Sequence, residues 1–564
     1  MRSTELTTDP AAGGSDRDGD RAHDARAAAD GSPVADAPAP PFDRDALVAD
    51  LAVIAGDDDA AAAMADALLA DADDAAALGA PAARRDGSAV ADLDHRTGGA
   101  CYVDRYAGDL AGLTARIPYL VELGLTHLEV TPVAGPATDD APADAMLAPG
   151  LRVRAGLGSA ADLVALADAL HDAGLTLAVA LSATHDDAEA LPDRIRAAAR
   201  ETAALASAGA DLVRVDPRAL LADVATDTDS DADTARAAVP ARASALLRVL
   251  AAVGRRSSPG LALAVAADDR AAAAPLADDA VRLVDDPERT ALIWEALATR
   301  SPALLSRSLE RRPEAPAGTA WTARVRDHDA LRWAFDDDDA RALGIDPDEH
   351  RRFLTDFHLG RFPGSHARGV AHPDGVAGTT ASLAGLEQDD PGAVERILLA
   401  HSIALSAGGL PILVLGDEVG QLNDYGYDDV TAHADDSRWV NRPLHPFERY
   451  DQREDRTTST GVVHAGIRRL VAVRAATPAL AGTRVVGFDA HHPHVLGYQR
   501  PHADGTVLVL ANLGDDAATV QAETLGGFAE HAVDLVRDER LRLTKGIVLS
   551  PRTFVWLQAV PDIA

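Results

Sequence analysis

The sequence predicts a (β/α)8 TIM barrel, preceded by a helical segment and followed by an antiparallel β-domain. Three observations predict it. From Cys101 onward, short apolar runs alternate with amphipathic helical stretches, eight times in order. Such alternation argues a parallel sheet with crossover helices. Eight repeats favour a closed barrel, with an open doubly wound sheet as the alternative. Before the repeats the only periodicity is helical, and after about residue 482 it becomes that of short strands.

The elements follow in order. Residues 1–44 are rich in Ala, Asp, Pro and Gly and are expected to be a disordered acidic tail. Over 45–98, Leu47, Leu51, Ile54, Met64, Leu68 and Leu69 recur at helical spacing. The barrel is expected over 99–481. Its first helix follows CYVDRYA, with Leu110, Leu113, Ile117, Leu120 and Leu123 on one face. The runs THLEVTPV, LTLAVALSATH, DLVRVD, LALAVAA, AVRLVDD, TAWTARVRDHD and LPILVLGDE supply the remaining strands. An insertion spans about 334–390. From 482 to 564, VVGFDA, HVLGYQR, TVLVLANLG, HAVDLVRD and RTFVWLQAV are short strands separated by Gly, Asp or Pro turns.

Composition excludes several classes of function. Acidic residues number 89 against 53 basic, a formal net charge of −36, so nucleic acid is not expected as a partner. No stretch approaches the ~20 apolar residues needed to span a bilayer, and the N-terminus has no apolar signal segment. The one cysteine, Cys101, excludes an intrachain disulfide and suits a reducing cytoplasm, where the chain is expected. No Cys/His zinc pattern, Walker loop or dinucleotide fingerprint appears, so no metal or cofactor is expected.

Several long strings resemble amylosucrase, a sucrose-using member of glycoside hydrolase family 13 in the α-amylase superfamily. They are LIWEALATR (292–300), GTAWTARVRDHDALRWAF (318–335), HRRFLTDFHLGRFPGSHARGV (350–370), GGLPILVLGDEVGQLNDYGY (408–427) and DDSRWVNRP (435–443). The resemblance covers roughly residues 100–560 and is weakest over 133–290. It implies a barrel with an insertion after strand seven and a C-terminal β-sandwich. It also implies glucosyl transfer from sucrose onto a glucan, with retention of configuration; relatives hydrolyse or isomerise α-glucosides.

Retaining transfer uses two carboxyl groups about 5–5.5 Å apart, at the C-terminal ends of barrel strands. The resemblance makes Asp216 the nucleophile, with Arg214 two residues earlier on the same strand face. It makes Asp329 the transition-state stabiliser, and His328 and His185 ligands of sugar hydroxyls. Arg361, Arg368 and Arg438 fall where they would line the pocket mouth. Read without the resemblance, Arg-x-Asp is a weak signal that favours a structural pair at a strand end, and the three arginines equally form salt bridges between loops.

The departures are as informative. Counting back from Asp268-Asp269 puts Ala262 at the general-acid position on strand five. The segment 139–150, where the family carries an aromatic sugar platform, has no aromatic residue. The subdomain after strand three, which walls one side of the family's pocket, is deleted. The expectation is an amylosucrase-like protein whose activity is lost or strongly reduced, a candidate pseudoenzyme. The alternative is an active retaining enzyme that uses Asp216 with a non-standard proton donor.

Overall fold

A computed structural model describes residues 42–78, 90–136, 142–182, 190–221, 232–267, 280–312, 315 and 318–560. The barrel strands are β1 (Gly98–Cys101), β2 (His127–Val130), β3 (Thr176–Ala180), β4 (Leu212–Val215), β5 (Ala262–Val265), β6 (Val281–Val284), β7 (Ala320–Ala323) and β8 (Leu410–Val414). Each pairs in parallel with the next, and β8 closes onto β1. The closed barrel is the predicted fold, and the open sheet is excluded.

Local chemistry sets the barrel helices. Asp109 accepts the Gly112 N–H at the start of α1 (Leu110–Leu123), and Gly124, at φ 88°, ends it. Its buried face is the one read from the periodicity: Leu110, Leu113, Ile117, Leu120 and Leu123. After β2, Ser159 and Asp162 form a reciprocal capping box on α2 (Ala160–Asp172).

Side chains alternate across each strand, so every second residue faces the barrel axis. The lower inward layer is small and apolar: Ala100, Ala178, Ala262, Ala264 and Ala320 pack with Leu212 and Ile412. Val90 and Leu93, from the segment leading into β1, join the same cluster.

Among the described residues, two α-helices precede the barrel, Arg44–Ala55 and Asp58–Leu78. They pack against the helices that follow β3 and β4, Leu191–Ser207 and Ala232–Ser257. Acidic residues on the first pair meet arginines on the second, Asp50 with Arg248 and Asp71 with Arg196. Residues 1–41 of the expected tail lie outside the described residues.

The C-terminal sheet has six strands: β9 (Val486–Gly487), β10 (Val495–Arg500), β11 (Val507–Asn512), β12 (His531–Asp534), β13 (Glu539–Arg542) and β14 (Phe554–Ala559). Their antiparallel order is β9-β10-β11-β14-β12-β13, and a two-stranded ribbon, Ala518–Val520 with Ile547–Leu549, lies beside the sheet. Leu508, Leu510 and Leu557 face a core shared with the ribbon. Leu496, Tyr498, Val509 and Trp556 face the main core instead. Burial on both faces explains the uninterrupted apolar run VLVLA.

Three bonds dock this sheet on the barrel helix Ala393–Ser406. Trp556 Nε1–H donates to Ser402 Oγ at 2.9 Å. Tyr498 Oη lies 2.6 Å from Ser406 Oγ, and Arg500 Nη1 donates to the Ser406 carbonyl at 3.0 Å. Trp556 is fully buried, so Trp556→Ala is expected to cost about 3–5 kcal/mol, read as a lowered urea midpoint. Loss confined to the C-terminal sheet would appear as a separate early transition.

Candidate functional site

A cleft opens where β4 to β7 end. Arg214, Asp216, Ala266, Ala267, Asp285, Asp327 and Asp329 all line it. Its floor is the upper inward layer of the barrel, and that layer is charged. Arg324 Nη2 donates to Glu129 Oε2 at 2.7 Å. Arg214 grips Asp285 with two nitrogens, Nη1 to Oδ1 at 3.0 Å, and its Nε lies 3.4 Å from Glu129 Oε1. Thr322 Oγ1 donates to Asp285 Oδ1 at 2.9 Å. Two carboxylates and two guanidiniums therefore cancel inside the barrel.

Burial alone would push both carboxyl groups up. The Arg214 and Arg324 guanidiniums outweigh it, so Glu129 and Asp285 both titrate below the usual carboxylate range.

This layer changes the arrangement at β4. The sequence puts Arg214 on the same face as Asp216, but the structure turns its guanidinium to Asp285 and Glu129. Asp216 is held by its own backbone instead. Its Oδ1 accepts the N–H of Arg218 at 3.0 Å and of Ala219 at 3.4 Å, in the short helix Pro217–Leu221. The Asp216 side chain is 41% exposed, and Arg218 Nε lies 3.4 Å from its Oδ1.

The loop leaving β7 carries Asp327, His328 and Asp329, and they part company. Asp329 faces the cleft, where its Oδ1 accepts from Arg438 Nη1 at 3.1 Å and from Arg442 Nη2 at 3.4 Å. Arg438 is itself tied to Asp436 at 2.8 Å. His328 lines a separate small cavity with Tyr102, Arg105, Asn441 and His445. Its ring meets Tyr102 edge-on, centroids 4.9 Å apart. Burial, then the charges of Arg326 and Arg442, hold the imidazole well below its ordinary range and therefore neutral.

Asp327 is partly open to the cleft, and its carboxylate accepts the Asp329 N–H at 2.8 Å. Burial and the nearby Asp329 charge push its carboxyl up to about 6, against the opposing pull of Arg324.

Of the other expected residues, Arg361 and Arg368 are exposed and line neither cavity. His185 and the Asp268–Asp269 pair lie outside the described residues.

One expectation needs correction. Ala262 is the first residue of β5, not a residue of its C-terminal end. It pairs with Leu212 and belongs to the apolar lower layer. Counting back from the loop overshot because it ignored strand register. Val215 pairs with Val265, and the Ala266 N–H donates to the Val215 carbonyl at 2.9 Å. The β5 residue level with Asp216 is therefore Ala266. It is also an alanine, so the described part of β5 still brings no carboxyl group to the cleft.

Glu129, Asp285, Arg324 and Asp327 were missed in the sequence. The first three carry a signal: each sits two positions from another inward residue, as in His127-x-Glu129, Leu283-x-Asp285 and Thr322-x-Arg324. Polar residues at alternate positions of an apolar barrel strand mark an internal charge layer. Asp327 has no such signal, because it lies in the loop beyond β7, where strand alternation no longer applies.

After β3 the chain passes to the helix Leu191–Ser207 through residues 181–190 alone, which leaves no room for a subdomain there. Among the described residues no cluster of His, Cys, Asp and Glu has metal-site geometry, and no helix is long and apolar enough to cross a membrane.

Two variants test this geometry. Glu129→Gln leaves two buried guanidiniums sharing one carboxylate and is expected to cost about 3–5 kcal/mol in denaturant unfolding. Because the Glu129 and Asp285 carboxyls are depressed, their contribution is present at neutral pH and lost as pH falls through their folded values. The variant should accordingly show a shallower acid limb than the parent. Ala262→Glu places an unpaired carboxylate in the apolar layer and should lose more than about 3 kcal/mol. Ala266→Glu, at the cleft, should change stability by less than about 1 kcal/mol; equal losses would overturn the register argument.

No protein-family model matches the sequence. Similar solved structures are found. The α-amylase of Geobacillus thermoleovorans complexed with acarbose aligns with a TM-score of 0.53 at 14% identity, over 84% of this chain and 99% of that one. AmyP in complex with maltose aligns with 0.53 at 13%, over 84% and 98%. Sucrose 6F-phosphate phosphorylase from Thermoanaerobacter thermosaccharolyticum aligns with 0.52 at 12%, over 75% and 94%. With the closed barrel and the appended antiparallel sheet, this likeness shows that the chain has the fold of the α-amylases.

Proposed function

We propose that the chain is an amylosucrase-like, α-glucoside-binding protein whose glucosyl-transfer activity is strongly reduced. The observation that carries this reading is the pairing of β4 with β5: level with Asp216 stands Ala266, where a retaining enzyme needs a proton donor. A missing general acid typically costs 10²–10⁴-fold. Asp329 reinforces the reading, since Arg438 and Arg442 already hold the carboxylate that would stabilise a developing cation. The amylosucrase resemblance and the sugar ligands of the fold neighbours support an α-glucoside as the occupant.

Asp216 itself remains open to the cleft, so the attacking half of the chemistry is the half retained. α-Glucosyl fluoride needs little proton donation to depart. The protein is expected to release fluoride from it far faster than it consumes sucrose, and added azide should yield α-glucosyl azide. Asp216→Asn should abolish both reactions. Fluoride release no faster than in Asp216→Asn would overturn residual catalysis, and an absence of maltose binding by calorimetry would overturn the sugar-site reading.

A further inference from the structure

We infer that Asp327, on the loop leaving β7, donates the proton to the departing glycosidic oxygen, a role that no described residue of β5 fills. The inference rests on the proposed function: with no acid on the described part of β5, it names the group that supports the residual turnover of a donor that needs a proton.

The argument is one of elimination within the cleft, among the described residues. Four carboxyl groups line it: Asp216, Asp285, Asp327 and Asp329. Asp285 is gripped by Arg214, bonded by Thr322 and lies 3.7 Å from Arg324, so it stays ionised and has no proton to give. Asp329 already accepts from Arg438 and Arg442, which tie it to the rim. Asp216 must be ionised to attack. Asp327 receives no side-chain hydrogen bond from an arginine. Its carboxylate accepts the backbone N–H of Asp329, a bond that favours the charged form but is outweighed by burial and the Asp329 charge.

The surroundings of Asp327 favour a retained proton. The groups that act on it are Arg324 of β7, Asp329 on its own loop, and Asp285 after β6, with Arg214 of β4 also within electrostatic reach. The arginines are already neutralised by Glu129 and Asp285, while Asp329 repels a second negative charge. Burial acts in the same direction, and the carboxyl titrates at about 6. A donor with that value is partly protonated at neutral pH and is a useful acid there. The residue is also held in place, because its carboxylate is fixed by the peptide two residues on.

The two steps balance. An Asp216 oxygen bonds to the anomeric carbon as the bond to the leaving oxygen breaks. The electron pair remains on that oxygen, which takes the Asp327 proton. In the second step the Asp327 carboxylate takes a proton from an incoming hydroxyl, of water or of a sugar. The hydroxyl oxygen bonds to the anomeric carbon, the ester to Asp216 breaks, and both carboxyl groups return to their starting states.

Asp327→Asn tests the assignment, with sucrose as the donor that needs a proton and α-glucosyl fluoride as the one that scarcely does. The expected result is a fall in kcat/KM for sucrose at least ~10-fold larger than the fall for the fluoride. The parent's sucrose turnover should decline as pH rises past about 6, and the variant should lack that decline. Infrared difference spectra should show a carboxylic-acid band lost between pH 5 and 7 in the parent and absent from the variant. Equal losses on both donors, an unchanged pH limb, or no such band in the parent would overturn the role of Asp327 even where the fluoride reacts. A parent inert toward the fluoride would instead overturn the proposed function, and this inference with it. Thermal unfolding of Asp327→Asn checks that a loss is not one of folding, and Asp327→Glu should recover part of the sucrose turnover.

Discussion

Glu129, Asp285, Arg214 and Arg324 meet inside a closed barrel, beneath the mouth and above an alanine-rich layer. Taking such charges out of water is costly, and their mutual attraction offsets that cost only where the geometry is good and further hydrogen bonds complete it. Here the partners come from β2, β4, β6 and β7, so no single strand can shift without breaking the set. The layer thus fixes which residues remain for the cleft above it. It also couples the barrel's stability to acid, because two depressed carboxyl groups must take up protons before the set dissolves.

Each group at the mouth is defined by what this layer has claimed. Arg214 is drawn down to Asp285, so Asp216 relies on the N–H groups of Arg218 and Ala219. Those bonds orient it at the cleft, with the Arg218 guanidinium 3.4 Å from its Oδ1. Arg324, neutralised from below, has less to offer Asp327. At the rim, Arg438 and Arg442 clamp Asp329 and pin the segment 435–443 against the β7 loop, where Asn441 Nδ2 also donates to the Asp329 carbonyl at 2.9 Å. Asp417 and Glu418, in the short 3-10 turn that follows β8, are occupied as well. Asp417 pairs with Arg326, and Glu418 accepts from Tyr119 and Tyr450. Their role is to hold the loop, as the flanking Gly416 and Gly420 suggest.

The barrel was legible because its signal is repetitive. Eight strand–helix alternations and the helical face Leu110 to Leu123 do not depend on any one residue. Asp216 and Asp329 were legible as cleft residues because both follow strand ends. What could not be read was register. Ala262 was placed by counting through a loop, and a count cannot say where a strand begins; the pairing of Val215 with Val265 can. The partner of Arg214 was hidden for a related reason. Asp216 is near in sequence, but Asp285 and Glu129 become neighbours only when the sheet closes.

Closure of the sheet also explains how a proton donor can sit on β7 without altering the fold. Strand ends in a barrel surround a common point, so residues distant in sequence stand at similar distances from whatever occupies the mouth. Which carboxyl group is acid and which is nucleophile then depends on environment rather than on strand number. Arg214 and Arg324 keep Asp285 ionised, Arg438 and Arg442 tie Asp329 to the rim, backbone N–H groups orient Asp216, and desolvation beside a like charge keeps a proton on Asp327. An alanine at position 266 removes one candidate acid but leaves those environments intact. The lower layer of small side chains, which carries the packing of the barrel axis, is not touched by the change at all.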